Sequence, residues 1–399
     1  MVQADTIDLI NGGIIVSSSA GLGNPGNLSI IVNNKLSMSG RRPSPYITLT
    51  GIQFDDLQSG INSFSLFGTG GNISILSPNI MIDNEGLISA SSLGLAGIMT
   101  GDSGSITINT ENISITNGGL IDNSNGVFIG STFFSGPESG GDIKVNAENI
   151  TIFGSSLDTG IASNSYTEGH GGNIKIQTGN LDINDSGAIS AHSYGTGNAG
   201  QINIQANTIN LTNQGNISTE AENSAGGNIS IDTPNLLYLH KGEITTSVGA
   251  GEKKGGDIAI ASPNFIILNK GQIKAQADKG YGGNISIQSE QFITSPNSII
   301  SASSNLGLDG EIEIDSLNLD MEGFLMTLPE EVVEASNLMK RPCSMQGSSF
   351  TVNKLNGSPP TPHDYQSAQY LPKTKITIFN AKEKLIFFNN GCKLKSFTD

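Results

Sequence analysis

Gly26-Asn27-Leu28-Ser29-Ile30 opens a phrase of Gly, one polar residue, then apolar-any-apolar, which occurs ten times and closes with Gly310-Glu311-Ile312-Glu313-Ile314. The intervening anchors are Gly71, Gly104, Gly141, Gly172, Gly200, Gly227, Gly256 and Gly283, and from Gly172 onward they recur at a nearly constant spacing. Self-similarity at such a period identifies a solenoid, in which each repeat buries its apolar face only against its neighbours.

Eight residues after the anchor stands Asn in most repeats: Asn34, Asn79, Asn112, Asn149, Asn180, Asn235, Asn264 and Asn318, with Thr208 and Gln291 as exceptions. Six repeats place Gly seven residues later (Gly86, Gly119, Gly187, Gly215, Gly242, Gly271), followed by Ile, as in Gly187-Ala188-Ile189. Each repeat therefore reads as three short strands separated by corners. Alternation such as Ile174-Lys175-Ile176 sends apolar side chains inward and polar ones to solvent, whereas a helix would need spacing near 3.6 and would not tolerate so much Gly and Asn. Gly and Asn suit corners because both accept positive φ, and successive Asn amides could also stack as a ladder. Both roles stay open for Asn79, Asn112, Asn149, Asn180, Asn235 and Asn264.

The fold expected is all-β: a right-handed parallel β-helix of about ten coils over residues 1–325, three strands per coil, roughly 45 Å long at the usual strand spacing. Residues 326–345 read as a short amphipathic cap helix, with Pro329 and acids at its start and Lys340 and Arg341 at its end. Residues 346–399 read as an extended or partly disordered tail with six lysines from Lys373 to Lys395.

The chain has 399 residues, 51 of them Gly, no Trp and a formal charge of −16. So acidic a chain does not suit nucleic acid, and no apolar run approaches a membrane span. The first residues do not resemble a signal peptide, and a repeat already running at Gly26 suggests a C-terminal piece of a longer product. Cys343 and Cys392 could form a disulfide in an oxidising compartment or remain thiols. The sequons at Asn72, Asn112, Asn228 and Asn284 are by-products of the repeat, since the Ile in each points inward.

The first four intervals, from Gly26 to Gly172, are longer than the later ones. Their excursions, residues 35–70 and 122–140, carry Tyr46, Phe54, Phe64, Phe67, Phe128, Phe133 and Phe134. Insertions on one edge of a solenoid commonly make its contact surface. Tyr166 and Tyr194 each stand six residues before an anchor, so they could stack on adjacent coils as ligand contacts, or pack loops onto the shaft. The closest carboxylate pairs for a glycan-cleaving site are Asp182 with Asp185 and Glu220 with Glu222. No arginine lies between Arg42 and Arg341 to meet a uronate, so catalysis is not the expected role. His170, His192, His240 and His363 are scattered, and no metal or cofactor is expected.

The repeats, together with Leu328-Pro329, Val333, Ala335-Ser336-Asn337, Cys343, Ser349-Phe350, Val352 and Pro359-Pro360, resemble the C-terminal region of filamentous haemagglutinin-like exoproteins of two-partner secretion systems. The resemblance spans roughly residues 20–362. It implies a secreted or bacterial cell-surface adhesin, exported through an outer-membrane β-barrel transporter, that contacts host cells, other cells or surfaces through a receptor the sequence does not identify. The family's N-terminal secretion domain and signal peptide are not in this chain. The alternatives are a β-helical carbohydrate-active enzyme, lyase or hydrolase, and a non-functional truncated remnant.

Overall fold

The computed structural model describes residues 1–316 apart from 20, 22, 43–45, 48–52, 55–56, 66–67, 93–100, 126, 130–131, 135–138, 155–157, 250–252 and 262. Ten anchors delimit nine complete turns of a parallel β-solenoid, and among the described residues there is no helix. The expected cap helix at 326–345, the tail at 346–399, His363 and the Cys343–Cys392 pair lie outside the described residues. No described helix is long and apolar enough to cross a membrane.

Strands stack in three columns. The first column follows the anchor glycines, as in Ile229–Asp232 on Ile258–Ala261; the second follows it within the same 17-stranded sheet; the third is a separate ten-stranded sheet. In three of the anchored coils the first two columns merge into single strands, Leu28–Ser39, Ile174–Asn184 and Ile202–Thr212. All pairings within the columns are parallel, while the long early excursions fold into antiparallel hairpins, Arg41–Arg42 with Leu57–Gln58, Tyr46–Ile47 with Gln53–Phe54, and Val127–Ile129 with Thr132–Phe134. Of the aromatic residues in those excursions, Phe64 is half-buried in the strand Gly60–Ser65. The side chains of Tyr46, Phe54, Phe67, Phe128, Phe133 and Phe134 are outside the described set.

The alternation works as the sequence dictates. In one coil Ile174, Ile176, Leu181, Ile183, Ile189 and Ala191 all point inward and are at most 1% exposed. Each such isoleucine or leucine contributes on the order of 1.5–3 kcal/mol by leaving water. One core runs the length of the coil stack.

The anchor glycines serve a purpose different from the one expected. None of the described anchors has positive φ; that conformation falls at the turn before the third strand, at Asn84-Glu85, Asn117-Gly118, Asp185-Ser186, Asn213-Gln214, Lys241 and Lys270. The anchors are glycine because they stack on one another. A Cβ on Gly227 would lie 1.7 Å from the carbonyl oxygen of Gly200, one on Gly256 1.8 Å from that of Gly227, and one on Gly283 1.9 Å from that of Gly256. The second set of glycines is likewise a close approach: a Cβ on Gly215 would meet Ile183 O at 2.3 Å.

Asparagine makes two ladders. Asn112 Nδ2 donates to Asn79 Oδ1 (3.1 Å), Asn149 to Asn112 (2.9 Å), Asn180 to Asn149 (2.8 Å), and the Thr208 hydroxyl continues onto Asn180 Oδ1. Asn235 and Asn264 do not join it. Thr208 pairs with Leu236 and Leu236 with Phe265, which puts both asparagines one residue out of register, because an extra residue enters the corner at Asp232-Thr233-Pro234. Asn34 is offset in the same way, since Asn79 pairs with Lys35.

The second ladder occupies the polar position right after each anchor. Asn72 Oδ1 accepts from Ser105 N (2.8 Å), Asp142 Oδ1 from Asn173 N (3.0 Å), Asn228 Oδ1 from Asp257 N (2.9 Å), Asp257 Oδ1 from Asn284 N (2.7 Å) and Asn284 Oδ1 from Glu311 N (3.0 Å). A short side-chain carbonyl here satisfies the amide of the next coil, which explains the preference for Asn and Asp after Gly.

Candidate functional site

The third column carries, in register, an outward row of aromatic, histidine and carboxylate side chains. After each inward isoleucine (Ile189, Ile217, Ile244, Ile273) the chain presents outward residues at alternate positions. The first set is Ser190, Ser218, Thr245 and Lys274, and the second His192, Glu220, Ser247 and Gln276. The isolated bridges Ser165↔Ser193↔Ala221↔Val248 extend the register. The next residue of each coil, Tyr166, Tyr194, Glu222 and Gly249, thereby falls in line. Buried Ser165, Ser193, Ala221 and Val248 anchor that backbone from beneath.

Tyr166 and Tyr194 are brought together. Their ring centroids are 5.0 Å apart with 13° between planes, and they are 38% and 45% exposed. The arrangement is a two-ring ledge on the solenoid surface. The Tyr166 amide donates to Asn125 Oδ1 (2.8 Å), and the His192 amide to Asn164 Oδ1 (2.8 Å). The His192 ring meets Tyr194 edge-on at 5.6 Å, with Nδ1 3.0 Å from the Tyr194 hydroxyl and Nε2 2.6 Å from Ser218 Oγ. Burial lowers the His192 pKa to about 4, so the ring is neutral at neutral pH. Burial, with the negative charge of Asp122 adding to it, lifts the Tyr166 phenol to about 12. Tyr194 shifts upward by burial and by Glu220.

Carboxylates surround the ledge. Asp122 is shifted upward by burial against the opposing bonds from Ser124 Oγ (2.5 Å) and Ser124 N (3.0 Å). Glu220 is shifted upward by burial, with Glu243 adding to the shift and a hydrogen bond from Ser247 and the charge of Lys274 opposing it. Glu243 accepts from Thr245 Oγ1 at 2.8 Å and pairs with Lys274 Nζ at 2.7 Å.

The other candidates do not converge. Asp182 faces outward on the second column and accepts from Asn210 Nδ2 at 2.6 Å, while Asp185 has φ 50° in the following turn. Asp185 lines a shallow open groove with Phe153, Gly154, Ser186, Asn213, Gln214 and Lys241. Glu222 continues the line of the tyrosines, beside Glu220. His170 Nδ1 accepts from Asn198 N, and His240 stacks on Tyr238 at 6.4 Å. Among the described residues no three His, Cys, Asp or Glu groups could hold a metal ion. Sequence reasoning paired Glu220 with Glu222 and overlooked Glu243, Lys274 and the bridging role of His192. The available signal was the alternate-position rule after each third-strand isoleucine, which puts His192 and Glu220 in one line.

No family model matches the chain, and neither does any curated protein or solved structure. The fold defines the class by itself: a parallel β-helical repeat protein.

Proposed function

We propose that this chain is shaft material of a secreted or bacterial cell-surface adhesin of the filamentous haemagglutinin-like kind, which contacts neutral glycans through the Tyr166–Tyr194 ledge. The observation that carries the reading is the pair of parallel, partly exposed rings stacked on adjacent coils of the solenoid. Aromatic faces recognise the apolar faces of sugar rings, and a rigid platform loses little ordering entropy on binding. The surrounding carboxylates disfavour acidic sugars, which sets neutral glycans apart. Export through an outer-membrane β-barrel transporter belongs to the same proposal.

The test is binding of the full chain to immobilised neutral and sialylated glycans, with Tyr166→Ala/Tyr194→Ala beside it and the β-sheet circular dichroism of both checked. Retention of neutral glycans by the wild type and loss in a folded double variant supports the reading. Equal retention by the two proteins, or none by either, overturns it.

A further inference from the structure

Tyr166 and Tyr194 stand just past the ends of their third-column strands, and the corners that lead into those strands and the next two hold the open groove. Its volume is about 520 Å³, inside the roughly 300–1,000 Å³ of small-molecule sites. Phe153, Asp185, Ser186, Asn213, Gln214 and Lys241 line it. Phe153 ends a second-column strand and is 41% exposed, and parallel pairing sets it beside Asn184, the residue before Asp185.

The groove holds hydrogen-bonding capacity that the protein does not consume. Ser186 Oγ donates to Gln214 Oε1 at 3.0 Å, and Asn213 Nδ2 donates to Asn184 Oδ1 at 3.2 Å. Among the described residues no hydrogen bond or ion pair engages Gln214 Nε2, Asn213 Oδ1, the Asp185 carboxylate or Lys241 Nζ. Amide, carboxylate and ammonium groups around one apolar ring match a sugar, whose hydroxyls both donate and accept and whose C–H face is apolar. One acid and one base leave the groove without net charge, which suits a neutral ligand.

Between groove and ledge the face is smooth. The outward positions there are Gly160 and Ala162 on one coil and Ala188 and Ser190 on the next, paired in register. None is charged and none is larger than serine. Asn164 and His192 then lead into the two tyrosines, with the His192 ring edge-on against Tyr194. From Ala188 to Tyr194 the chain advances six residues, at most about 20 Å at roughly 3.3 Å per residue. That is the length of several linked sugars.

We propose that the ledge and the groove are two subsites of one binding face, and that its ligand is an internal stretch of a linear neutral polysaccharide lying along the third-column strands, across the solenoid axis. One sugar stacks on Tyr166 and Tyr194. Another, several units along the same chain, sets its C–H face on Phe153 and its hydroxyls on Gln214, Asn213, Asp185 and Lys241. The units between pass over Gly160, Ala162, Ala188 and Ser190, where a long side chain would lift the ligand off the face. Because the subsites are linked through the ligand, the groove adds affinity only for a chain long enough to reach it.

The inference rests on the glycan contact proposed above, and chain length separates the two. Calorimetry on the full-length protein compares cellohexaose, maltohexaose, xylohexaose, mannohexaose and chitohexaose with the disaccharide of each series. At least one hexasaccharide should bind about tenfold or more tighter than its disaccharide, which reaches the ledge alone. Phe153→Ala and Lys241→Gln, both at exposed positions, should each weaken that hexasaccharide about threefold or more and leave the disaccharide within about twofold, with circular dichroism matching the wild type. Equal affinity of the wild type for the two lengths overturns the second subsite and leaves the ledge contact standing, and this outcome needs no variant. Hexasaccharide binding that neither groove variant changes, or a groove variant that weakens both lengths alike, also overturns it. Absence of binding at either length overturns the ledge contact as well.

Discussion

Tyr166 and Tyr194 stack with ring centroids 5.0 Å apart and planes 13° from parallel. They stand one coil apart in sequence, and the parallel register of Ser165 on Ser193 is what superposes them. A stacked aromatic pair contributes about 0.5–1.5 kcal/mol beyond area burial. Tyr166→Ala, Tyr194→Ala and the double variant should therefore show a coupling energy in that range in a double-mutant cycle by urea denaturation. Strict additivity would mean that the rings do not stabilise one another in solution.

Anchor stacking makes a sharper demand. A methyl group at Gly227 would stand 1.7 Å from Gly200 O, and both partners are backbone. Gly227→Ala should cost more than about 3 kcal/mol or prevent folding, because the coil must open to admit it. Gly21, where an added Cβ meets nothing within 4 Å, is the control. Gly21→Ala should shift stability by no more than about 0.5 kcal/mol, as surface substitutions away from special features do, and thermal melts of both variants beside the wild type check the contrast.

The solenoid was legible because its rules are local and repeated. Period-2 alternation in Ile174-Lys175-Ile176 and the coil-length spacing of glycines left no helical alternative, and the facing of Tyr166 with Tyr194 followed from counting. What escaped was information that exists only between coils. Nothing in Gly200 or Gly227 alone distinguishes a residue chosen for positive φ from one chosen because another glycine's carbonyl touches it. The slip that takes Asn235 out of the ladder depends on one extra residue at a corner. The association of Glu220 with Glu243 crosses coils at different offsets, so a search for carboxylates close in sequence selected Glu222 instead.

The Asn ladder yields a graded prediction. Asn149 donates to Asn112 and accepts from Asn180, so Asn149→Ala removes two exposed amide bonds and should cost about 1–2 kcal/mol. Asn264 is one position out of that register, and Asn264→Ala should cost under about half as much. Chemical denaturation of the two variants checks the order. A larger loss at Asn264 would mean that the corner, rather than the ladder, sets the preference for asparagine.

His192 predicts an acid sensitivity whose sign can be worked out. Its folded pKa, about 4, lies below the ordinary 6.5, so the native state favours the neutral ring. Between those values the unfolded chain binds the proton more readily, so this contribution is fully present above pH 6.5 and is lost as pH falls through 4. The loss amounts to at most about 3 kcal/mol. Asp122 and Glu220 act in the opposite sense: their folded pKa values are raised, so they cost stability as pH rises through them and partly mask the histidine. His192→Asn places on this coil the residue type that Asn164 supplies on the preceding one, and it cannot titrate. The stability gap between wild type and this variant should move against the wild type by up to about 3 kcal/mol as pH is lowered from about 7 to about 4, read by urea denaturation at each pH. A gap independent of pH would show that the ring keeps its solvent contact and that its bonds to Tyr194 and Ser218 do not depend on its being neutral.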